Sequence, residues 1–274
     1  MRKVSISQAW DETRAILERD GRLFVSVALA LLVLPSLING LVNLKGVSDS
    51  GGRWSGLIVS LLVTLINLAG QLGLIRLALG PSVAVGEAIA HGIRRLPIYF
   101  VTVLIIILAL FIASIPFGLA LQALGVPLQR GTPVPDSPPV AIAAILYFAL
   151  ILFVVVRMTM SGPVATSEHV GPIAIIRRSW ELTAGHFWRL LGFLVMVLFG
   201  GLVAIIAINT AIGTVARLTL GPVEPMSVGG LIIILIQALL GSALSVVFAV
   251  MLARIYTQLA GRGEIHASVP NSGT

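Results

Sequence analysis

The sequence contains no cysteine and very few charged side chains. Only 11% of its 274 residues are charged and 6% are aromatic, whereas 57% are hydrophobic. Without cysteine the chain has no disulfide, no thiolate nucleophile and no cysteine-based metal site. Because so little charge is spread over so much apolar sequence, the composition excludes a soluble globular domain and indicates a protein whose solvent is mostly lipid.

Six apolar runs are long enough to cross a membrane. The hydrocarbon core of a bilayer is about 30 Å thick, and a helix needs about 20 apolar residues to span it. The runs lack the alternating pattern of barrel strands, and lipid cannot satisfy an open sheet edge. The sequence therefore predicts an all-α polytopic membrane protein with six transmembrane helices in a single membrane domain, 1–274. The predicted spans cover residues 23–44, 55–79, 98–124, 140–164, 190–215 and 228–256.

The spans fall into three pseudo-repeats, 1–80, 81–162 and 163–262, followed by a predicted flexible C-terminal tail, 263–274. Each unit begins with a basic amphipathic segment and a turn, continues with two apolar spans, and carries an arginine at the end of its second span. Those three arginines are Arg76, Arg157 and Arg254. A period of about eighty residues with two spans per unit is typical of a duplicated membrane fold.

The positive charges are distributed unevenly between the two sides of the predicted bundle. Fourteen of the 18 lysines and arginines fall in the N-terminus, the second and fourth connections, the C-terminus and the adjoining helix ends. The other connections contain only Lys45, Arg53, Arg130 and Arg217. By the positive-inside rule, this distribution predicts that the N- and C-termini are both cytoplasmic. The net charge of +7 is thus a topology feature, and the sequence predicts membrane lipids rather than nucleic acid as partners.

Each inward-facing segment has the pattern of an amphipathic helix. Ser5 and Gln8 have the spacing of a capping box, and Ser82 can cap the second helix. Pro172 suits the first turn of the third. These helices are predicted to lie flat at the cytoplasmic interface, where they either only anchor the fold or form a collar that recognises phosphate headgroups. The candidate collar residues are Arg94, Arg95, Arg177 and Arg178, and 16 arginines against two lysines suit bidentate phosphate contacts.

The three span-terminal arginines are the main candidate site. Near a helix end an arginine reaches the interface at little cost, so one interpretation is that they only snorkel. The other is that three equivalent helices bring their guanidinium groups together as a cytoplasmic anion-binding cluster. Asn67 and Gln71 lie close to one helical stripe with Arg76, which makes the second span the best cavity-wall candidate. The usual role of such amides, however, is interhelical hydrogen bonding.

Catalytic patterns are weak in this sequence. Glu87 and His91 are four residues apart, and Glu168, His169 and His186 occur near the third amphipathic segment. No HExxH motif, paired carboxylates or serine elbow is present. We therefore predict no catalytic residue, no metal and no cofactor.

Three segments resemble a known family. They are GEAIAHGIRRLP at 86–97, RSWELTAGHFWRLL at 178–191 and YTQLAG at 256–261. They are similar to the bacterial family named after the membrane domain of glycerophosphoryl diester phosphodiesterases, and to the related YciC-like proteins. The resemblance implies a six-span bacterial inner-membrane fold. Phosphodiesterase members carry a separate catalytic domain, so the resemblance does not extend that activity to this chain.

Together these features predict a non-enzymatic inner-membrane protein that binds, transports or organises lipid or another anionic amphiphile through a cytoplasm-facing, arginine-lined cavity. Two alternatives remain open. One is a structural partner or assembly factor of another membrane protein, with a homo-oligomer also possible at a small-residue face of the last span. The other is a lipid-modifying membrane enzyme that uses His91, His169 or Glu168.

Overall fold

The computed structural model describes residues 5–44, 53–80, 84–126, 137–220 and 228–267. Within those ranges the chain is helical and contains no strand, which confirms the all-α prediction. The helices are α1 Ile6–Ala28, α2 Leu34–Leu44, α3 Arg53–Leu79, α4 Val85–Ala123, α5 Pro138–Met158, α6 Ser161–Ser167, α7 Pro172–Thr183, α8 Phe187–Leu220 and α9 Val228–Ala267. Ser82, Lys45, Arg130, the side chains of Arg53 and Arg217, and residues 268–274 lie outside the description.

Six helical stretches in the described chain are long and apolar enough to cross a membrane, as the six apolar runs predicted. They are Ile6–Gly40, Leu57–Leu79, Val85–Ala123, Pro138–Ser167, Phe187–Val215 and Gly229–Gly261. Their bounds differ from the predicted ones mainly at the arginine-rich ends. The last helix, α9, continues to Ala267, so the first residues of the predicted tail are helical.

The amphipathic segments differ from the prediction in the first two units. There the basic segment and the following span form one helix, because α4 continues through Pro97 and α1 continues through Gly21 without a turn. Only α7 is a separate helix. It ends because Ala184 is extended and Gly185 takes a φ of +80°, a left-handed conformation that stops a helix. The predicted turn is therefore present only in the third unit, and the pseudo-repeats stay a prediction.

A π-helical turn at Leu29–Val33 joins α1 to α2. Its last bond runs from the N–H of Leu34 to the carbonyl of Leu29. Pro35 follows directly and has no N–H to continue the α-helical pattern, so the wider turn occurs where a normal bond is lost. α3 packs tightly here, because a Cβ atom on Gly70 would lie 2.9 Å from the Cβ of Leu31.

At one end of the bundle, hydrogen bonds join helices that are distant in the sequence. The backbone N–H of Ser5 donates to Oε1 of Gln258 at 3.2 Å, which ties the start of α1 to α9. Nε2 of His91 lies 2.9 Å from the carbonyl oxygen of Thr166, which joins α4 to α6. We call this end, where α3, α5 and α9 finish and α4 and α8 begin, the basic end.

Two apolar clusters hold the basic end together. One joins α1, α3 and α9 through side chains that include Phe24, Val27, Leu74, Ile75, Ala249, Val250 and Ala253. The other includes side chains from each of the helices α5, α6, α7, α8 and α9. Its members include Val156, Met160, Val164, Ile175, Phe193, Met251 and Ile255. The long apolar helices α4, α5 and α8 leave large hydrophobic side chains such as Phe111, Ile145 and Phe199 exposed, as expected of surfaces that contact lipid.

Candidate functional site at the basic end

A cleft of about 380 Å³ opens between α1, the end of α3 and α9. Arg254 lies in its wall and donates a hydrogen bond from Nη2 to the carbonyl oxygen of Ala78 at 2.5 Å. The Nε atom of Arg254 is buried and has no hydrogen-bond partner. The remaining lining residues are Glu12, Ala15, Ile16, Arg19, Asp20, Leu77, Leu79 and Gly80. We call this feature the Arg254 cleft.

Charges of both signs line the Arg254 cleft. Arg19 forms an ion pair with Asp20 at 2.8 Å, and Arg254 lies within electrostatic range of both Glu12 and Arg19. The lining thus contains two guanidinium groups and two carboxylates. Guanidinium groups bind phosphate, and carboxylates bind ammonium, so the cleft suits a group that carries both charges.

A second group of cations lies between α4, the end of α3 and the segment after α6. His91 is within electrostatic range of Arg76, Arg95 and His169. Among the described residues, neither Arg76 nor Arg95 forms an ion pair with a carboxylate. The Nη2 atom of Arg95 is buried and has no hydrogen-bond partner. We call these four residues the cationic cluster. Two permanently charged groups brought together without a carboxylate repel each other, which an anion between them would relieve.

Arg157 has different surroundings. Its guanidinium carbon lies 5.3 Å from the ring centroid of Phe153 and 5.0 Å from that of Trp180. Nη1 donates to the carbonyl oxygen of Trp180 at 3.4 Å, and the hydroxyl of Ser179 donates to the carbonyl of Arg157 at 2.7 Å. These contacts tie α5 to α7 through cation–π interactions, which are strongest where water is excluded.

The arginines predicted to form the headgroup-binding collar also have different surroundings from one another. Arg94 is exposed, and Arg177 pairs with Glu181 at 3.0 Å on the exposed face of α7. Arg178 donates from Nε to Oε1 of Glu168 at 3.1 Å. This hydrogen bond raises the pKa of Arg178 above its ordinary value, with burial acting in the opposite direction. Arg178 is therefore part of an ion-paired network.

That network continues into α9 through Tyr256. Its hydroxyl donates to Oε1 of Glu168 at 3.0 Å and lies 2.7 Å from the hydroxyl oxygen of Ser167. Glu168 is thus held by both Arg178 and Tyr256. This arrangement joins α6, α7 and α9, because Oε1 of Glu168 accepts from both Arg178 and Tyr256.

The amides of α3 follow a stripe, but Arg76 lies off it. Asn67 and Gln71 are one turn apart, whereas Arg76 comes five residues after Gln71, about 140° around the helix axis. The structure agrees with this angle, since Gln71 is exposed while Arg76 is half-buried near His91 on α4. The sequence analysis placed Arg76 close to one helical stripe with Asn67 and Gln71. The helix geometry instead places Arg76 on a different side of α3 from these two amides.

The three span-terminal arginines each have their own neighbours. Arg76 is near His91, Arg157 lies against Trp180, and Arg254 bonds to Ala78. The structure records no contact between any two of the three, and their convergence around a common anion stays a prediction.

Several residues of these sites were not singled out from the sequence. Glu12, Arg19 and Asp20 lie on the polar face of α1, which resembles any solvated face until α9 packs beside it. His91 and His169 were named from the sequence only as catalytic candidates, and their proximity to Arg76 and Arg95 depends on the contact between α4 and α6. By contrast, the helical spacing of Ser60, Thr64, Asn67 and Gln71, which repeats every three or four residues along α3, is visible in the sequence.

Within the described ranges, no group of three histidine or acidic side chains could hold a metal ion.

A family model described as a domain of unknown function (DUF7847) matches residues 4–259. No curated protein and no solved structure matches the chain. Since the family description carries no activity, the resemblance to the phosphodiesterase membrane-domain family stays a prediction.

Proposed function

This chain belongs to the DUF7847 family, whose model covers most of it, and we propose that it is a non-enzymatic membrane protein that binds the phosphate of anionic lipid headgroups. The proposal places the basic end at the cytoplasmic leaflet of a bacterial inner membrane. It takes membrane lipids as the partners of the protein.

The observation that carries the proposal is the cationic cluster. Nη2 of Arg95 is buried without a hydrogen-bond partner, and Arg76 and Arg95 both lie within electrostatic range of His91. Neither arginine forms an ion pair within the described residues. Charged groups removed from water need a counter-charge or hydrogen bonds. A phosphate monoanion or diester supplies both, because its oxygens accept the parallel N–H donors of a guanidinium group.

The surroundings of the cluster favour an amphiphile over a free anion. On α4 the side chain of Ile93 is 55% exposed, and Val101 and Leu104 continue this apolar surface along the helix. The exposed indole of Trp188 at the start of α8 is the kind of side chain found at headgroup level. At 100° per residue this apolar surface lies on the far side of α4 from Arg95, so acyl chains would pack against the helix and not directly beside the bound phosphate.

Binding can be tested by native mass spectrometry of the purified full chain with phosphatidylglycerol, with phosphatidylcholine as the comparison lipid. The Arg76→Gln, Arg95→Gln double variant should weaken phosphatidylglycerol binding by about thirtyfold, taking about 1 kcal/mol for each arginine. Arg14→Gln is the matched control, because Arg14 pairs with Glu18 on an exposed face of α1. Unchanged affinity in a folded double variant would refute the proposal.

A second candidate function, association with another membrane protein or a second copy, is favoured by one contact. Nε2 of Gln237 donates to Oδ1 of Asn209 at 2.6 Å on the exposed surface between α8 and α9. Polar groups on a lipid-facing surface often mark helix association. Loss of a stoichiometric partner or of a dimer in Asn209→Leu, Gln237→Leu would support this function, whereas an unchanged monomer would argue against it.

A further inference from the structure

A line of polar side chains runs along the exposed side of α3. Ser60, Thr64, Asn67 and Gln71 follow the i, i+4, i+7, i+11 spacing of one helix face, and we call them the polar stripe. The first, second and fourth are exposed and Asn67 is half-buried. At 1.5 Å per residue the stripe is about 16 Å long, and it lies wholly inside the candidate membrane span Leu57–Leu79.

The polar stripe is only partly satisfied by its own helix. Thr64 donates to the carbonyl oxygen of Ser60 at 2.8 Å, and Nδ2 of Asn67 donates to that of Val63 at 3.0 Å. Within the described residues the amide of Gln71 has no hydrogen-bond partner. Acyl chains offer none, so a bare amide at this depth carries a desolvation cost that a polar occupant would remove.

The same face of α3 ends at the Arg254 cleft. Ala78 comes 18 residues after Ser60, which is five full turns, so both residues point in one direction. Ala78 lines the Arg254 cleft, and its carbonyl oxygen accepts the hydrogen bond from Arg254. The polar stripe and the Arg254 cleft therefore lie along one line on α3.

An apolar contact separates the two. Leu74 and Ile75 lie between Gln71 and Ala78 on this line and are 0% and 4% exposed. They belong to the apolar cluster that includes Ala249 and Val250 of α9. Leu74 thus packs in the apolar cluster that α3 shares with α9, and Ile75 also lies against Gly162 of α6. Along α3, this apolar packing separates the polar stripe from the Arg254 cleft.

We propose that the seam between α3 and α9 is a path along which phospholipid headgroups cross the bilayer. The inference rests on the proposed lipid binding and extends it from holding a lipid to moving one. The polar stripe takes the headgroup within the membrane, and the Arg254 cleft takes it at the basic end. Separation of Leu74 and Ile75 from α9 connects the two.

The occupant is a lipid rather than a water-soluble solute because apolar surface borders the stripe. Leu57 and Leu61, 60% and 49% exposed, flank the stripe, and Ile58 and Leu62, 57% and 54% exposed, continue this apolar surface around to the far side of α3. The stripe therefore opens sideways toward acyl chains. At the other end, the guanidinium group of Arg254, whose Nε has no partner, suits the phosphate, and the carboxylate of Glu12 suits an ammonium group. Arg19 and Asp20 line the same cleft as an ion pair. A phosphoethanolamine headgroup carries both charges.

The test is lipid transfer in vesicles of phosphatidylcholine and phosphatidylglycerol that contain the full chain and a trace of fluorescent phosphatidylethanolamine. External dithionite quenches only the outer leaflet, so protein-free vesicles keep the fluorescence of their inner leaflet. Vesicles with the protein should lose more. Asn67→Leu, Gln71→Leu should slow this loss by about tenfold, because two headgroup contacts are removed. Leu74→Ala should speed it by weakening the closure.

The matched control is Thr210→Val, Thr214→Val, which removes two exposed hydroxyls from α8, away from the seam. It should leave transfer unchanged. Should the Asn67, Gln71 double variant misfold, Thr64→Val and Leu74→Ala still test the path separately, with opposite expected signs. Wild-type protein that transfers no faster than empty vesicles would overturn the path. Phosphatidylglycerol binding, which depends on the cationic cluster, would still be judged by mass spectrometry.

A helix contact is the competing explanation for the polar stripe. If Asn67→Leu, Gln71→Leu converted a dimer into a monomer and left transfer at the wild-type rate, the stripe would be an interface and the path would be refuted. Slower transfer with unchanged oligomeric state would support the path.

Discussion

The guanidinium group of Arg254 on α9 bonds to the carbonyl oxygen of Ala78 in the last turn of α3, with a separation of 2.5 Å. The last carbonyls of a helix have no partner within the helix and carry partial negative charge, so a cation at this position satisfies one and interacts favourably with the helix dipole. Arg254 therefore holds the closed seam at its basic end while lining the cleft beside it.

We expect Arg254→Gln to destabilise the protein by about 1–3 kcal/mol, because the Ala78 carbonyl loses a charged donor. Thermal unfolding of the detergent-purified protein measures the change. Arg14→Gln provides the comparison, since it removes an equally charged side chain from an exposed ion pair, and such pairs contribute little. Equal stability of the two variants would show that the bond to Ala78 is energetically unimportant.

Gly92→Ala should be strongly unfavourable. A Cβ atom at residue 92 would lie 2.5 Å from the carbonyl oxygen of Ala69, so α3 and α4 would have to separate. Such overpacking costs about 1–3 kcal/mol. Gly86→Ala on the same helix is the matched control, because a Cβ there meets no atom within 4 Å. Thermal unfolding of both variants checks the prediction, and a fully stable Gly92→Ala protein would contradict the close crossing.

Tyr256 and Glu168 should be energetically coupled. Tyr256→Phe removes the donor to Glu168, and Glu168→Gln removes the charged acceptor that Arg178 also uses. A double-mutant cycle on thermal stability should give a coupling energy of about 0.5–3 kcal/mol, as residues in one hydrogen-bond network usually show. Additive effects would mean that the contact contributes nothing to folding.

The pH dependence of the stability that Arg178 contributes follows from the direction of its pKa shift. Its pKa is raised in the folded protein, chiefly by the hydrogen bond to Glu168. The resulting stability is fully present below the unfolded pKa and is lost only as pH rises through the higher folded value. The stability difference between wild type and Arg178→Gln should thus stay constant from neutral to moderately alkaline pH. A difference that shrinks in this range would assign the effect to another group.

Orientation in the membrane can be read with single cysteines, because the natural chain has none. Ser7→Cys at the basic end should resist a membrane-impermeant maleimide in intact cells, and Ser137→Cys before α5 should react. Ser7 lies in the first turn of α1, and Ser137 precedes the first residue of α5 at the opposite end of the bundle. Labelling of Ser7→Cys in intact cells would place the basic end outside and refute the cytoplasmic assignment.

Much of the fold was predictable because its main signal is local. A run of about 20 apolar residues can satisfy its backbone only as a helix when lipid surrounds it. Helix ends were harder, since Gly21 and Pro97 have the features of helix breakers yet lie within α1 and α4. Ser5 does cap α1 by accepting from the N–H of Gln8, but the side chain of Gln8 binds Glu12 instead of completing the capping box.

By itself, the sequence determined that the chain is helical, that it has six membrane-length spans and that arginine is concentrated near their ends, because composition and periodicity act within single segments. Only the tertiary structure decided which arginines have partners. Arg254 meets Ala78 across 176 positions of sequence, and His91 meets Thr166 across 75. Those contacts depend on how closely neighbouring helices approach, which is set by packing at small residues such as Gly70 and Gly92 and is not encoded in the spacing of the charged residues.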